Sequence, residues 1–185
     1  KLACTWATPD VMFFFSRRRT RVLSLAAAML YSSEMSNEGA LPAFVAKLRQ
    51  DGYAVGGILQ ETAFDDSGAK IGIYAVALDN DERFPIVRPT KEDRDAGACG
   101  LDRSVLTESS IALRRAMAKP VDLLVVEKFG EREQTGEGLA DDLLAAMAEG
   151  IPVLVAVPAA AEEIWTDFTG GLGTLLTPDL TDLTR

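Results

Sequence analysis

Apolar residues recur along the chain with two spacings. Residues 22–31 (VLSLAAAMLY), 53–59 (YAVGGIL), 121–126 (VDLLVV) and 151–157 (IPVLVAV) are short apolar runs that read as strands. The last two are almost unbroken, as expected for strands covered on both faces of a parallel sheet. Between them the apolar positions take helical spacing. In residues 37–50, Leu41, Phe44, Val45 and Leu48 fall on one face, and Asp51-Gly52 supplies a stop. A second helix is expected from Asp102, a good N-cap, to about Ala118, where Lys119-Pro120 ends it. A third spans residues 138–149 with Gly150 as its terminator, and a short one spans residues 159–168. Residues 70–78 (KIGIYAVAL) alternate, Asp79 to Glu82 turn the chain, and residues 83–87 return, which predicts an inserted β-hairpin. A short last strand is expected at residues 173–176. The Gly56-Gly57 pair inside the second strand implies a close backbone approach or a bulge. Strands alternating with helices predict an α/β fold of three layers, a mostly parallel sheet with helices on both faces.

The chain's 185 residues suit one domain, expected over residues 21–185, with residues 1–20 as a weakly ordered extension. Ser16-Arg17-Arg18-Arg19 ahead of the first apolar run also fits a twin-arginine export signal. Ser32-Ser33-Glu34-Met35 makes a poor cleavage site, so the strand reading is preferred. That run is too short to span a membrane as a helix.

A composition of 48% hydrophobic and 25% charged residues supports a real core. The net charge of -9 argues against a nucleic-acid surface, which needs clustered Lys and Arg. The chain contains no histidine, which excludes Ser-His-Asp and Cys-His nucleophile systems and His-bearing zinc sites. No metal site is expected. Cys4 and Cys99 cannot form a disulfide framework, and a reducing cytoplasm is the simpler setting.

Ligands of such sheets bind beyond the carboxyl ends of the strands. Residues 32–39 (SSEMSNEG) stand where a phosphate-binding loop belongs. A working loop needs glycines, a lysine and a Ser or Thr for magnesium. This one has one glycine, no lysine, and Glu34 and Glu38 where phosphate would lie, so it reads as a degenerate phosphate loop. Ser32 and Ser33 and the following helix N-terminus still offer an anion some hydrogen bonds. After the VDLLVV strand, Glu127 stands where an acid can hold magnesium or position water, and Glu133 is a candidate for polarising a nucleophile. Lys128 is a cation in the same segment, whose Gly136 and Gly138 equally suit a charged solvated loop. Pro158 ends the IPVLVAV strand. Arg94, Cys99 and Asp102 group an arginine, a thiol and a helix start that together suit an oxyanion; a surface loop with a packed cysteine is the alternative. Residues 170–173 (GGLG) follow a helix and read as a turn rather than a dinucleotide fingerprint.

Three stretches carry a family resemblance: residues 53–60 (YAVGGILQ); Asp93-Arg94 with Cys99-Gly100-Leu101-Asp102; and residues 129–133 (FGERE) with Gly136 and Gly138, running on to residues 150–158. Together they resemble an uncharacterised bacterial domain-of-unknown-function family, described as nucleoside-triphosphatase-like and often encoded near molybdate-transport or nitrogenase genes. The resemblance implies a P-loop-NTPase-like fold with a degenerate phosphate loop and supplies no reaction. Members usually carry a further cysteine near residues 73–77 and Asn at the place of Glu127; this chain departs at both. The expected function is binding of a small molecule, a nucleotide or oxyanion, with magnesium as cofactor only if a nucleotide binds. The alternatives are a regulatory or interaction protein of a molybdenum-related pathway and a magnesium-dependent NTPase. No membrane or nucleic-acid partner is expected, and homo-oligomerisation is left open.

Overall fold

A computed structural model describes residues 25–32, 39–90, 92–93, 97 and 100–177. The expected N-terminal extension lies outside them. Seven strands form one sheet among the described residues: β1 (Ala26–Tyr31), β2 (Val55–Phe64), β3 (Lys70–Ala77), β4 (Arg83–Val87), β5 (Leu123–Val126), β6 (Val153–Pro158) and β7 (Thr174–Leu176). Their order is β4-β3-β2-β5-β6-β1-β7. The β2, β5, β6, β1 and β7 pairings are parallel, while β3 and β4 are antiparallel additions at one edge.

The helices are α1 (Ala40–Gln50), α2 (Arg103–Glu108), α3 (Ser110–Met117), the single turn α4 (Glu131–Gln134), α5 (Ala140–Ala148) and α6 (Glu162–Phe168), preceded by a 3-10 turn, Ala159–Ala161. The helix expected over residues 102–118 is thus two, separated at Ser109, whose buried hydroxyl donates to the Leu106 carbonyl at 2.6 Å. The turn expected at residues 170–173 is a turn, with Gly170 and Gly171 both at positive φ.

Strand alternation distributes the core between two layers. Ala27, Met29, Leu123, Val125, Leu154 and Ala156 meet Leu41, Phe44, Val45 and Leu48 of α1. Ala28, Leu124, Val126, Val153, Val155 and Val157 face the other way, toward Leu113 of α3, Leu143 of α5 and Trp165 of α6. Among the described residues, α1 therefore covers one face, and α3, α5 and α6 share the other. Burying each large aliphatic side chain of α1 contributes about 1.5–3 kcal/mol, more than helix propensity supplies.

One further expectation needs correction. The second strand runs on to Phe64 instead of ending at Leu59, because β3 pairs with its whole distal half, Ile58 opposite Ala77 through Phe64 opposite Lys70. The expected hairpin is present as β3 and β4, and because β3 also pairs with β2 the three strands form a continuous meander that widens the sheet. Arg115 of α3 fastens its turn, pairing with Asp79 at 3.0 Å and Glu82 at 2.6 Å.

The glycine pair in β2 serves close approach. A Cβ on Gly56 would lie 2.5 Å from that of Ala116 in α3. One on Gly57 would lie 1.9 Å from the Val125 carbonyl oxygen of β5.

Asp102 is the N-cap of α2, its Oδ1 accepting from the Ser104 and Val105 amides at 2.9 and 3.1 Å. Asp102→Ala should lower stability by about 1 kcal/mol. Urea denaturation checks this; a loss below a few tenths would mean the cap contributes little to folding.

Candidate functional site

The first connection, from β1 through α1 to β2, passes over one face; the next, through α3, and those through α5 and α6 pass over the other. β1 and β6 are neighbours whose carboxyl ends lead to opposite faces. Such a switch of direction opens a crevice in doubly wound sheets. Here Tyr31 of β1 lies in register with Pro158 of β6, so the two strand ends are level. The chain enters α1 at this end of the sheet. Gly39 is the N-cap in the left-handed region (φ 98°), and no side chain caps the helix among the described residues. Pro42 in the first turn has no N–H, so the amides of Ala40 and Leu41 are the helical donors beyond Gly39.

Glu127 follows β5 at the same edge. Its N–H donates to the Ile58 carbonyl at 3.1 Å, and its Oε2 accepts from the Gln60 amide. The residue thus extends the β5–β2 ladder one rung beyond Val126, using main chain and side chain together. Burial raises the Glu127 carboxyl above the ordinary carboxylate range, and the Gln60 N–H opposes that rise only in part. The Tyr31 phenol is raised as well, first by burial and then by the field of Glu127. Tyr31 packs on the α1 side of the sheet. Alternation after Leu123 and Val125 turns Glu127 to the same side, and the same count from Leu154 and Ala156 does so for Pro158.

The following loop is braced from within. Glu133 is only 3% exposed, and its two oxygens accept from the Gly130 amide at 2.9 Å and the Leu139 amide at 3.0 Å. Gln134 donates to the Phe129 carbonyl at 3.1 Å. Phe129 anchors the loop in an aromatic trio, its ring centroid 5.3 Å from those of both Trp165 and Phe168. Lys128 is exposed, and Arg132 pairs with Glu137.

The structure therefore brings together Tyr31, Ser32, Glu127, Lys128 and Pro158 at the carboxyl edge. Glu133 holds up the loop, and both its oxygens are already engaged by that loop's own amides. Asp102 is elsewhere: its N–H donates to Ile86 of β4, at the far edge of the sheet. Ser33, Arg94 and Cys99, with Glu34 and Glu38, lie outside the described residues. Sequence reasoning missed Tyr31; its signal was a hydroxyl-bearing residue closing the first strand, in the parity of Ala27 and Met29. Among the described residues no cluster of three or more Cys, Asp or Glu could hold a metal, and no helix is long and apolar enough to cross a membrane.

A seven-stranded, mostly parallel sheet whose connections switch direction between β1 and β6 defines a doubly wound α/β fold. The chain belongs to the family described as "Protein of unknown function (DUF2478)", which matches residues 26–185. It is 41% identical over 150 residues to the molybdenum import ATP-binding protein ModC 2 of Bradyrhizobium diazoefficiens. That match takes in 81% of this chain and 16% of the relative, so the chain spans about a sixth of that protein's length. Among solved structures it is similar to a human cancer-related nucleoside triphosphatase, with a TM-score of 0.62, 17% identity, and coverage of 81% of this chain and 86% of the other. At that identity the likeness concerns the fold.

Proposed function

We propose that this chain binds a small anionic ligand, a nucleotide or an oxyanion, at the carboxyl edge of its sheet, and that it does so without an efficient phosphoryl-transfer apparatus. The observation that carries the reading is the half-buried Glu127 carboxyl beside Tyr31, at the same end of the sheet as the first turn of α1. A helix N-terminus attracts anions, and a perturbed acid on the strand next to a topological switch point is a characteristic of ligand sites. The sequence of residues 32–39 supplies no lysine for a transferring phosphoryl group. If a nucleotide is the ligand, magnesium accompanies it and Glu127 is the acid to hold the ion. Glu133 is then a support for the loop, since its oxygens already accept amide protons.

A second reading is favoured by the relative in Bradyrhizobium diazoefficiens, a molybdenum import ATP-binding protein that contains a stretch like this chain within a much longer sequence. In it the chain acts as a ligand-responsive regulatory partner of an import ATPase.

Thermal denaturation against ATP, GTP, ADP, phosphate, sulfate and molybdate tests the first reading. Ligand at about 100 times its Kd adds about 2.7 kcal/mol of apparent stability. For a chain of this size that is a rise of roughly 5–10 °C. Silence from every compound at millimolar concentration would remove the ligand-binding reading. Co-purification of a stoichiometric ATP-binding subunit would then favour the second.

A further inference from the structure

We propose that the carboxyl-edge site selects anions that carry their own hydrogen-bond donor, of which hydrogen phosphate is the simplest, over fully deprotonated oxyanions such as molybdate and sulfate. The inference rests on the reading of this edge as the ligand site and specifies which chemistry that site accepts.

Its basis is the way Glu127 is held. Oε2 accepts the Gln60 N–H while the Glu127 amide donates to the Ile58 carbonyl, so backbone bonds to β2 fix both ends of the residue. Swinging the carboxyl away to make room for a ligand would break the Gln60 bond. No cation is paired with it: the ion pairs among the described residues are Lys47–Asp51, Arg83–Glu61, Arg114–Asp142, Arg115 with Asp79 and Glu82, and Arg132–Glu137. Lys128, next in sequence, is exposed, and its Cε lies along Gly130, 4.0 Å from where a Cβ would be.

Among the described residues no arginine or lysine is paired with Glu127, which therefore offers an incoming anion an acceptor oxygen without such compensation. An ionised carboxylate is acceptor-only. It gains a charge-assisted hydrogen bond from a ligand O–H and meets only repulsion from a ligand that is acceptor on every side. Molybdate and sulfate at neutral pH are of that second kind; hydrogen phosphate has at least one O–H. The neighbouring Tyr31 hydroxyl donates to either, so it sets affinity without discriminating. Sites built around a buried polar group reject an analogue lacking the matching hydroxyl by about 10⁴–10⁵-fold. For a half-exposed group such as Glu127, a ratio of about 100 is the expectation.

Isothermal titration of the whole chain with inorganic phosphate, sulfate and molybdate at pH 7 measures this ratio. Phosphate should bind about 100-fold more tightly than either of the others. Glu127→Gln, which is isosteric and adds an amide donor, should shrink the ratio to within about threefold, mainly by gaining affinity for molybdate. Equal binding of the three anions by the unsubstituted chain would overturn the selectivity and leave the ligand site standing. So would a ratio unchanged in Glu127→Gln. If phosphate, sulfate, molybdate and nucleotides all fail to bind the unsubstituted chain, the ligand-site reading falls, and the selectivity with it.

Discussion

Gly57→Ala is expected to lower stability by about 2–6 kcal/mol, the largest effect among the Gly→Ala changes. Two costs combine. Gly57 sits at φ 120°, where an L side chain is strained by about 1–3 kcal/mol. The new Cβ would lie 1.9 Å from the Val125 oxygen and 2.7 Å from the Val125 nitrogen. Those atoms belong to the backbone of the parallel neighbour, so no rotamer change relieves the clash. β2 must move off β5, and such overpacking typically costs a further 1–3 kcal/mol or more. A thermal melt should fall by roughly 10–20 °C. Gly52→Ala is the matched control: φ is also positive, at 91°, but nothing lies within 4 Å of the added carbon. It should cost about 1 kcal/mol. Equal melts for the two variants would show that close strand approach contributes nothing.

The second large effect belongs to Glu133. Replacing it with alanine leaves the buried Leu139 amide and the partly buried Gly130 amide without their acceptor. Each orphaned donor costs about 1–3 kcal/mol, so a loss of about 3–5 kcal/mol is expected. Hydrogen exchange at Gly130 and Leu139 should accelerate, while amides inside β5 and β6 keep their relative protection. Glu133→Gln retains one acceptor oxygen and should recover part of the loss. A Glu133→Ala variant as stable as the unsubstituted chain, with unchanged exchange at both amides, would show that the carboxyl is no brace.

Much of this fold was legible because its central strands are apolar in uninterrupted runs. The segments 121–126 and 151–157 announce β5 and β6, and Asp102 announces α2 by its capping chemistry. The distal half of β2, residues 60–64 (QETAF), has no strand pattern of its own and is a strand because β3 pairs with it. The separation of α2 from α3 at Ser109 leaves no mark in the apolar spacing. Within the site, Glu127 stood out by its place after a buried strand. Its relation to Tyr31 did not: the two lie on β5 and β1, and only the sheet order, with β6 between them, brings them together. Glu133 reads in sequence as one more charge in a charged loop. Its burial comes from the loop folding around it, which composition does not report.

The place of β1 has a consequence for how the chain acquires its shape. This early segment is flanked by β6 and β7, so the two ladders that enclose it come from residues 153–158 and 174–176. During synthesis it has neither neighbour until more than a hundred further residues have been made. Long-range pairings of this kind delay completion of the sheet. The middle of the chain, β2 with its meander and α3, has its partners close in sequence and is free to assemble first. Until the C-terminal third arrives, the apolar stretch Ala26–Tyr31 is without its permanent shelter. Truncation after Gly150 should therefore yield an aggregating product rather than a smaller soluble one.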